Sequence, residues 1–238
     1  MTNLCIDVGN TSAKFAVFRD GELLEKTTDP SQMKIEELVA KYGIQRSIMA
    51  TVKEAASQVK KRLPKNIDCL LFDGQTPLPF KLDYKTPATL GADRKAAVAG
   101  AMSMFPGKSV LVIDAGTCIT YDYADAEGNY KGGAISPGLH MRLKALHNFT
   151  ARLPLVEAGD DVALIGTSTE ECIRSGVLNG ISAEAEGIIA RYRITDPGVT
   201  VVTTGGDAGR LQQPNENNNL NVPNLVLAGL NSILEYNV

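Results

Sequence analysis

Short apolar runs broken by polar positions recur along the chain, and two of them open in the same way. Leu4 to Ile6 leads into Asp7-Val8-Gly9-Asn10-Thr11 and then into the alternating run Ala13-Lys14-Phe15-Ala16-Val17-Phe18. Val110 to Ile113 leads into Asp114-Ala115-Gly116-Thr117 and then into Ile119-Thr120-Tyr121-Asp122-Tyr123. Each copy predicts a strand, an acid at its end, a glycine turn carrying threonine, and a returning strand. Further strands are expected at 22–27, 47–52, 69–72, 130–135 and 199–203, with Asp20-Gly21 turning the strands 13–19 and 22–27 into a hairpin. Helices are expected at 31–42, capped by Ser31, at 53–62, and at 91–105, where Pro106-Gly107 stops the chain. Others are expected at 139–148, 169–193 and 225–234. The longest, 169–193, sets Ile173, Val177, Ile181, Ala185, Ile188 and Tyr192 on one face, as an apolar stripe for its own sheet or for a partner. The turn-rich stretch 73–90, with Pro77, Pro79 and Pro87, fits either the wall of a site or a long surface connection. The Asn- and Gln-rich stretch 212–221 predicts an exposed loop, and the boundary between halves is expected near Pro106 to Ser109.

Composition narrows the classes. A chain of 238 residues with 44% apolar content can bury a substantial core as one unit or two small domains. A formal net charge of -3, with both signs spread along the chain, offers no footprint for nucleic acid or an anionic membrane. No apolar run approaches a bilayer span, and the expected compartment is the cytoplasm. Cys5, Cys69, Cys118 and Cys172 lie far apart and predict buried small hydrophobes rather than a disulfide or zinc framework. With two histidines, His140 and His147, and no nucleophile elbow, zinc and serine-hydrolase chemistry lack their parts.

The paired hairpins carry the chemistry. A single Asp-x-Gly at a strand end also fits a plain turn, but its repetition in the same strand context favours phosphate binding. Gly9 and Gly116 permit a sharp turn and close approach of a phosphate, Thr11, Thr117 and Thr120 supply hydroxyl donors, and Lys14 adds a positive charge. Gly205-Gly206 follows a third strand, where a base or ribose can lie against bare backbone. Gly91-Ala92-Asp93-Arg94 opens the helix at 91–105. An acid in a first turn is electrostatically favourable by itself. The functional alternative is an Asp93 that receives a hydroxyl proton beside an Arg94 that clamps an anionic oxygen. Asp7 suits magnesium, directly or through water. His147, near a helix end, fits dipole compensation.

These motifs resemble the type III pantothenate kinases, within the acetate kinase–sugar kinase–Hsp70–actin superfamily. The likeness runs through Asp7-x-Gly9-Asn10-Thr11-x-x-Lys14, Tyr84, Gly91-Ala92-Asp93-Arg94, Asp114-x-Gly116-Thr117-x-x-Thr120 and Gly132-Gly133-x-Ile135-x-Pro137-Gly138. It continues through Thr150-Ala151-x-Leu153-Pro154 and Gly205-Gly206-Asp207. The resemblance implies an α/β fold of two ribonuclease H-like (actin-like ATPase) domains with mixed sheets, 1–108 and 109–238, and a cleft between them. It implies transfer of the γ-phosphate of ATP to the primary hydroxyl of pantothenate, the first step toward coenzyme A. An inactive or regulatory ATP-binding protein of the same fold is the alternative.

By the same resemblance Asp93 is the base, and Asp7, Gly9, Asn10, Thr11, Lys14, Gly116, Thr117, Thr120, Gly205 and Gly206 serve ATP. Tyr84, Gly91, Ala92, Asp93 and Arg94 serve pantothenate, with Thr169 reaching it from the neighbouring subunit of a homodimer built through the second domain. A substrate contact at His147 is implied only by this resemblance, as a looser match. Asp114 holds a monovalent cation, K⁺ or NH₄⁺, besides the Mg²⁺ at Asp7.

Overall fold

Continuous apolar strands need cover on both faces, and this governs how the elements assemble. The computed structural model describes all residues except 10–12, 29–30, 52–59, 160–161, 212–218 and 238. The strands are β1 (Thr2–Val8), β2 (Ala13–Arg19), β3 (Glu22–Thr27), β4 (Arg46–Thr51), β5 (Asp68–Phe72), β6 (Lys81–Leu82), β7 (Val110–Ala115), β8 (Cys118–Ala124), β9 (Asn129–Pro137), β10 (Thr200–Thr204) and β11 (Asn219–Asn221). The helices are α1 (Gln32–Tyr42), α2 (Ala92–Met104), α3 (Leu139–Asn148), α4 (Thr169–Thr195) and α5 (Leu225–Tyr236). The helix expected at 53–62 falls largely outside the described residues.

The chain divides into two units. The first takes Met1–Gly107, Gly128–Lys131 and Asn224–Val238, and the second takes Lys108–Glu127 and Gly132–Pro223. In the first, the sheet order is β3-β2-β1-β4-β5, with β2 antiparallel to both β1 and β3 and with β1, β4 and β5 parallel. The second sheet has six strands. Five of them, in the order β9-β8-β7-β10-β11, repeat the first, with β7 antiparallel to β8 and parallel to β10, and β10 parallel to β11, and β6 lies beyond β9. Both sheets are therefore mixed, in an α/β fold.

Local chemistry sets several element ends. Asp20 and Gly21 both have positive φ, 50° and 85°, the geometry of a primed hairpin turn. The Ser31 hydroxyl accepts from the Lys34 amide at 3.2 Å and caps α1. One face of the first sheet buries Leu4, Ile6, Phe15 and Val17 with Ile35 and Leu38 of α1. In the second unit Leu111, Ile113 and Tyr121 pack with Ile173, Val177, Ile181, Ala185 and Ile189 of α4, so most of that helix's stripe is spent on its own sheet. Burial of each such aliphatic side chain stabilises by about 1.5–3 kcal/mol.

Three features depart from the sequence-based expectations. The last helix, α5, belongs to the first unit although the expected division put 109–238 together. It crosses α2 at van der Waals range: a Cβ on Gly229 would fall 1.7 Å from the Ala96 carbonyl, and one on Gly100 would fall 2.6 Å from that of Leu225. Two strands lie in stretches expected to be irregular. β6 pairs with Asn129–Tyr130 at the start of β9, and β11, inside the Asn-rich stretch, pairs with β10. Finally, Cys172 is exposed while Cys5 is buried, so the expectation of four buried thiols holds only in part.

Candidate active site

In the first unit the strand-end acid meets two other charged groups. Asp7 on β1 stands in register with Lys14 on β2. Burial pushes the Asp7 carboxyl above the usual range; Lys14 pulls it back, and the nearby Asp93 carboxylate adds to the rise. Asp93 lies in the first turn of α2, with Gly91 as N-cap. Its Oδ1 accepts from the Arg94 amide at 2.8 Å and passes 2.4 Å from where a Cβ on residue 91 would sit. Glycine at 91 thus leaves the space in which the Asp93 carboxylate folds back over the helix end. Ala92 opens that helix, and Arg94 beside it is 8% exposed.

Tyr84 follows β6, its ring 5.7 Å from that of Tyr130, which is fully buried. Lys131 adds an ion pair to Asp83 at 2.9 Å. Part of the proline-rich stretch 73–90 is therefore fixed to the start of β9 rather than running free. Gly9 follows the end of β1, and Asn10 and Thr11 lie outside the described residues.

The second hairpin is enclosed differently. Asp114 on β7 has Thr120 of β8 in register on one side and Thr204 of β10 on the other. Gly205 has φ +98°, and a Cβ there would lie 2.5 Å from Asp114 Oδ1 and 2.3 Å from the Ala115 carbonyl. The Asp207 amide donates to that same carbonyl at 3.0 Å. Gly205 is thereby set against the acid, while Gly206 faces open space. Gly116 donates to the Cys118 carbonyl at 2.9 Å, which forms the turn and leaves Thr117 exposed at its tip.

Sequence reasoning gave Gly138 no role at this turn. Its amide donates to the Thr117 carbonyl at 3.1 Å, and a Cβ would fall 2.3 Å from the Gly116 carbonyl. The signal was available in Pro137-Gly138, at the junction of a strand and a helix.

Thr169 opens α4 and lines a groove of about 1150 Å³ with Phe149, Leu153, Cys172, Ile173 and Val177. The groove belongs wholly to the second unit. His147, whose role was open, donates through Nδ1 to the Leu153 carbonyl at 2.8 Å and ties the end of α3 to the strand of chain after it.

The donor sets fit the cations implied by the motifs. Among the described residues no cluster of three or more His, Cys, Asp or Glu gathers at one point. Mg²⁺ does not need one, since it is commonly held by one or two carboxylates with waters and phosphates. The buried Asp7 carboxylate offers one such ligand. At Asp114 the carboxylate and the Ala115 carbonyl both lie against Gly205, with Thr120 and Thr204 in register on the flanking strands, a set of oxygen-bearing residues that suits K⁺.

A family model described as type III pantothenate kinase matches residues 3–191. A Christiangramia forsetii protein named type III pantothenate kinase is 47% identical over 99% of this chain and 98% of its own. A Bacteroides fragilis protein of the same name is also 47% identical, with the same coverage. Among solved structures, a Campylobacter jejuni protein named as a Baf family transcriptional activator superposes with a TM-score of 0.60 at 22% identity, over 98% of both chains. A Sinorhizobium meliloti protein named as a 2-dehydro-3-deoxygalactonokinase does so at 0.57 and 16% identity, over 98% of this chain and 96% of its own. At those identities the structural likenesses speak for the fold alone.

Proposed function

The chain belongs to the type III pantothenate kinase family, and from that premise we propose that it transfers the γ-phosphate of ATP to the primary hydroxyl of pantothenate. The product is 4'-phosphopantothenate, the first intermediate toward coenzyme A. The observation that supports this reading is a carboxylate, Asp93, in the first turn of α2 and close enough to the buried Asp7 to oppose its ionisation. A second carboxylate held next to the strand-end acid, in the unit that also carries Tyr84 and Arg94, serves an acceptor hydroxyl and has no purpose in nucleotide binding alone.

Asp93 accepts the hydroxyl proton and aims the oxygen at the phosphorus. The transition state of phosphoryl transfer is loose in most analyses, so orientation matters more than base strength. Arg94 clamps an anionic oxygen of the substrate, and Tyr84, set by Tyr130, forms a wall of the acceptor site with Gly91 and Ala92. Lys14 and the backbone at Gly9 serve the phosphates in the first unit. Gly116, Thr117 and Thr120 serve them in the second, where the bare Gly205-Gly206 backbone receives the nucleoside. Asp7 and Asp114 would hold Mg²⁺ and the monovalent cation respectively, which would supply positive charge against the phosphate chain.

The cytoplasm, where ATP is plentiful, is the proposed compartment; no described helix is long and apolar enough to cross a membrane. The proposed assembly is a two-fold homodimer. Most of the α4 stripe already faces its own sheet, so the partner is assigned to the apolar groove between α3 and the start of α4, where Thr169 lies.

Purified protein given Mg-ATP, K⁺ and pantothenate is expected to release 4'-phosphopantothenate, read by mass spectrometry. Binding of both substrates without product under varied cations would instead mark a regulatory ATP-binding protein. Turnover of a different hydroxylated acceptor in a substrate panel would move the specificity. Sedimentation across protein concentration, with activity followed in parallel, tests the dimer, and a fully active monomer would remove Thr169 from a shared site.

A further inference from the structure

Four polar side chains in the second unit form a chain of contacts that leads back to the turn Gly116–Thr117. Arg142 of α3 donates through Nε to the Pro137 carbonyl at 2.8 Å and through Nη2 to the Ser136 hydroxyl at 2.8 Å. The same Nη2 reaches Glu184 Oε2 of α4 at 2.6 Å. Glu184 Oε1 accepts from the Tyr121 hydroxyl at 3.0 Å. Burial raises the Glu184 carboxyl, but its bonds from Arg142, Ser136 and Tyr121 outweigh this and hold it below the usual range. Tyr121 stands on β8, the strand that leaves the turn.

The other end of the chain returns to the same place. Residues 136–137, held by the guanidinium, precede Gly138, whose amide donates to Thr117 and whose Cα lies against the Gly116 and Thr117 carbonyls. The loop therefore closes from turn to β8, Tyr121, Glu184, Arg142, Ser136–Pro137, Gly138 and the turn again.

We propose that the Arg142–Glu184 pair is a positioning device for the nucleotide-phosphate turn, acting through Ser136–Pro137 and Gly138. The proposal rests on the reading of Gly116 and Thr117 as phosphate-binding. Its physical basis is rigidity. Gly138 is tied to the turn through its own amide bond to the Thr117 carbonyl, and the direction from which it approaches is set by where the preceding two residues are held. The planar Arg142 fork holds both of them and Glu184 at once, which a lysine point charge cannot do. The pair's side chains are 22% and 26% exposed, so it is partly screened and poorly suited to be a large stability element. Its value lies in geometry, because a small misplacement of reacting groups can cost orders of magnitude in rate.

The test uses Glu184→Gln and Tyr121→Phe, which keep side-chain volume, with Arg142→Lys and Arg142→Met as a graded pair. Binding of a non-hydrolysable ATP analogue with Mg²⁺ is measured by calorimetry, and exchange of the Gly138 amide by hydrogen–deuterium exchange. Glu184→Gln is expected to weaken nucleotide binding by ~3–30-fold, the range of measured coupling through such networks. KM for pantothenate should stay near wild type, Gly138 exchange should quicken, and Arg142→Lys should fall between wild type and Arg142→Met. Thr117→Val serves as the control on the turn itself. If it weakens nucleotide binding while Glu184→Gln and Tyr121→Phe leave both binding and Gly138 exchange unchanged, the positioning role is overturned and the phosphate reading stands. If Thr117→Val has no effect on nucleotide binding, the phosphate reading falls and takes the proposal with it.

Discussion

The hairpin ending in Asp7 and the hairpin ending in Asp114 share a sheet order but not an environment. In the first, Val8 and Ala13 are the last paired residues, and the acid faces a lysine across the strands; in the second, Ala115 and Ile119 are the last pair, and the acid faces a threonine. The second turn is one residue shorter and is packed from two sides, by Gly138 and by Gly205, at distances that exclude any side chain. The first has the head of α2 with a second carboxylate beside it. One copy of the repeated phrase gathers charge, and the other is fixed by close backbone contact. On the proposed function, the same strand-turn-strand frame separates two demands of phosphoryl transfer, chemistry at the acceptor and fixed geometry at the phosphates.

The largest effect is expected from breaking the charged side. Asp93→Asn should lower kcat by roughly 10²-fold or more, the scale of positioned acid–base catalysis, while leaving nucleotide binding and thermal stability near wild type. A steady-state assay with parallel calorimetry checks it, and near-normal turnover would remove Asp93 from the base role. The next is expected from breaking the tightly packed side. Gly138→Ala puts a methyl group 2.3–2.4 Å from two backbone carbonyls of the turn, which must then move. It should cost about 1–3 kcal/mol of stability, the usual scale of overpacking, and weaken nucleotide binding in the same measurement. A variant as stable and as tight-binding as wild type would show that the contact does not constrain the turn.

The sequence displayed the charged side more clearly than the packed one, and for a physical reason. Asp7, Lys14, Asp93 and Gly91 belong to short local patterns, an acid after an apolar run and a glycine before a helix, so their chemistry is visible from spacing. Gly138 and Gly205 matter because of what lies against them from elsewhere in the chain, and no local pattern states that. The Arg142–Glu184 pair joins residues on two helices and was invisible for the same reason. The passage of α5 into the first unit breaks the contiguity that chain order suggests, although Gly100 among alanines and Gly229 in an apolar helix are a usable sign of close helix packing. β6 and β11, of two and three residues, are too short for any period to register.

A smaller effect sharpens the comparison at the second acid. Asp114→Asn keeps the shape of the oxygen cage and removes its charge, so K⁺ activation should need a concentration raised by ~10-fold, on the order of 1.4 kcal/mol. Asp93→Asn should leave the K⁺ midpoint of its residual activity in place. A K⁺ titration of both variants checks this, and an unchanged midpoint in Asp114→Asn would reject the cation assignment.

The smallest expected effect is on stability and comes from Asp7. Its carboxyl is raised from 3.8, chiefly by burial, with Lys14 opposing and Asp93 reinforcing the shift. Between the unfolded value and the raised folded one, the folded state binds more protons than the unfolded state, so stability falls as pH rises through that window. Below the window both states are protonated and the burden is absent; above it the ionised carboxylate is carried at a cost in the folded protein. Asp7→Asn removes that cost, and Lys14 is solvent-exposed, so losing its neighbour adds little. Without ligands the variant should therefore melt slightly higher than wild type at pH 7, by no more than ~4 °C, the scale for about 1 kcal/mol in a chain of this size. The difference should close near pH 3. With Mg²⁺ and an ATP analogue the order should reverse, because ligand binding to the folded state raises the wild-type melting temperature more. An unliganded Asp7→Asn variant less stable than wild type at pH 7 would mean that the carboxylate holds the hairpin together, rather than being kept there at a cost for the cation.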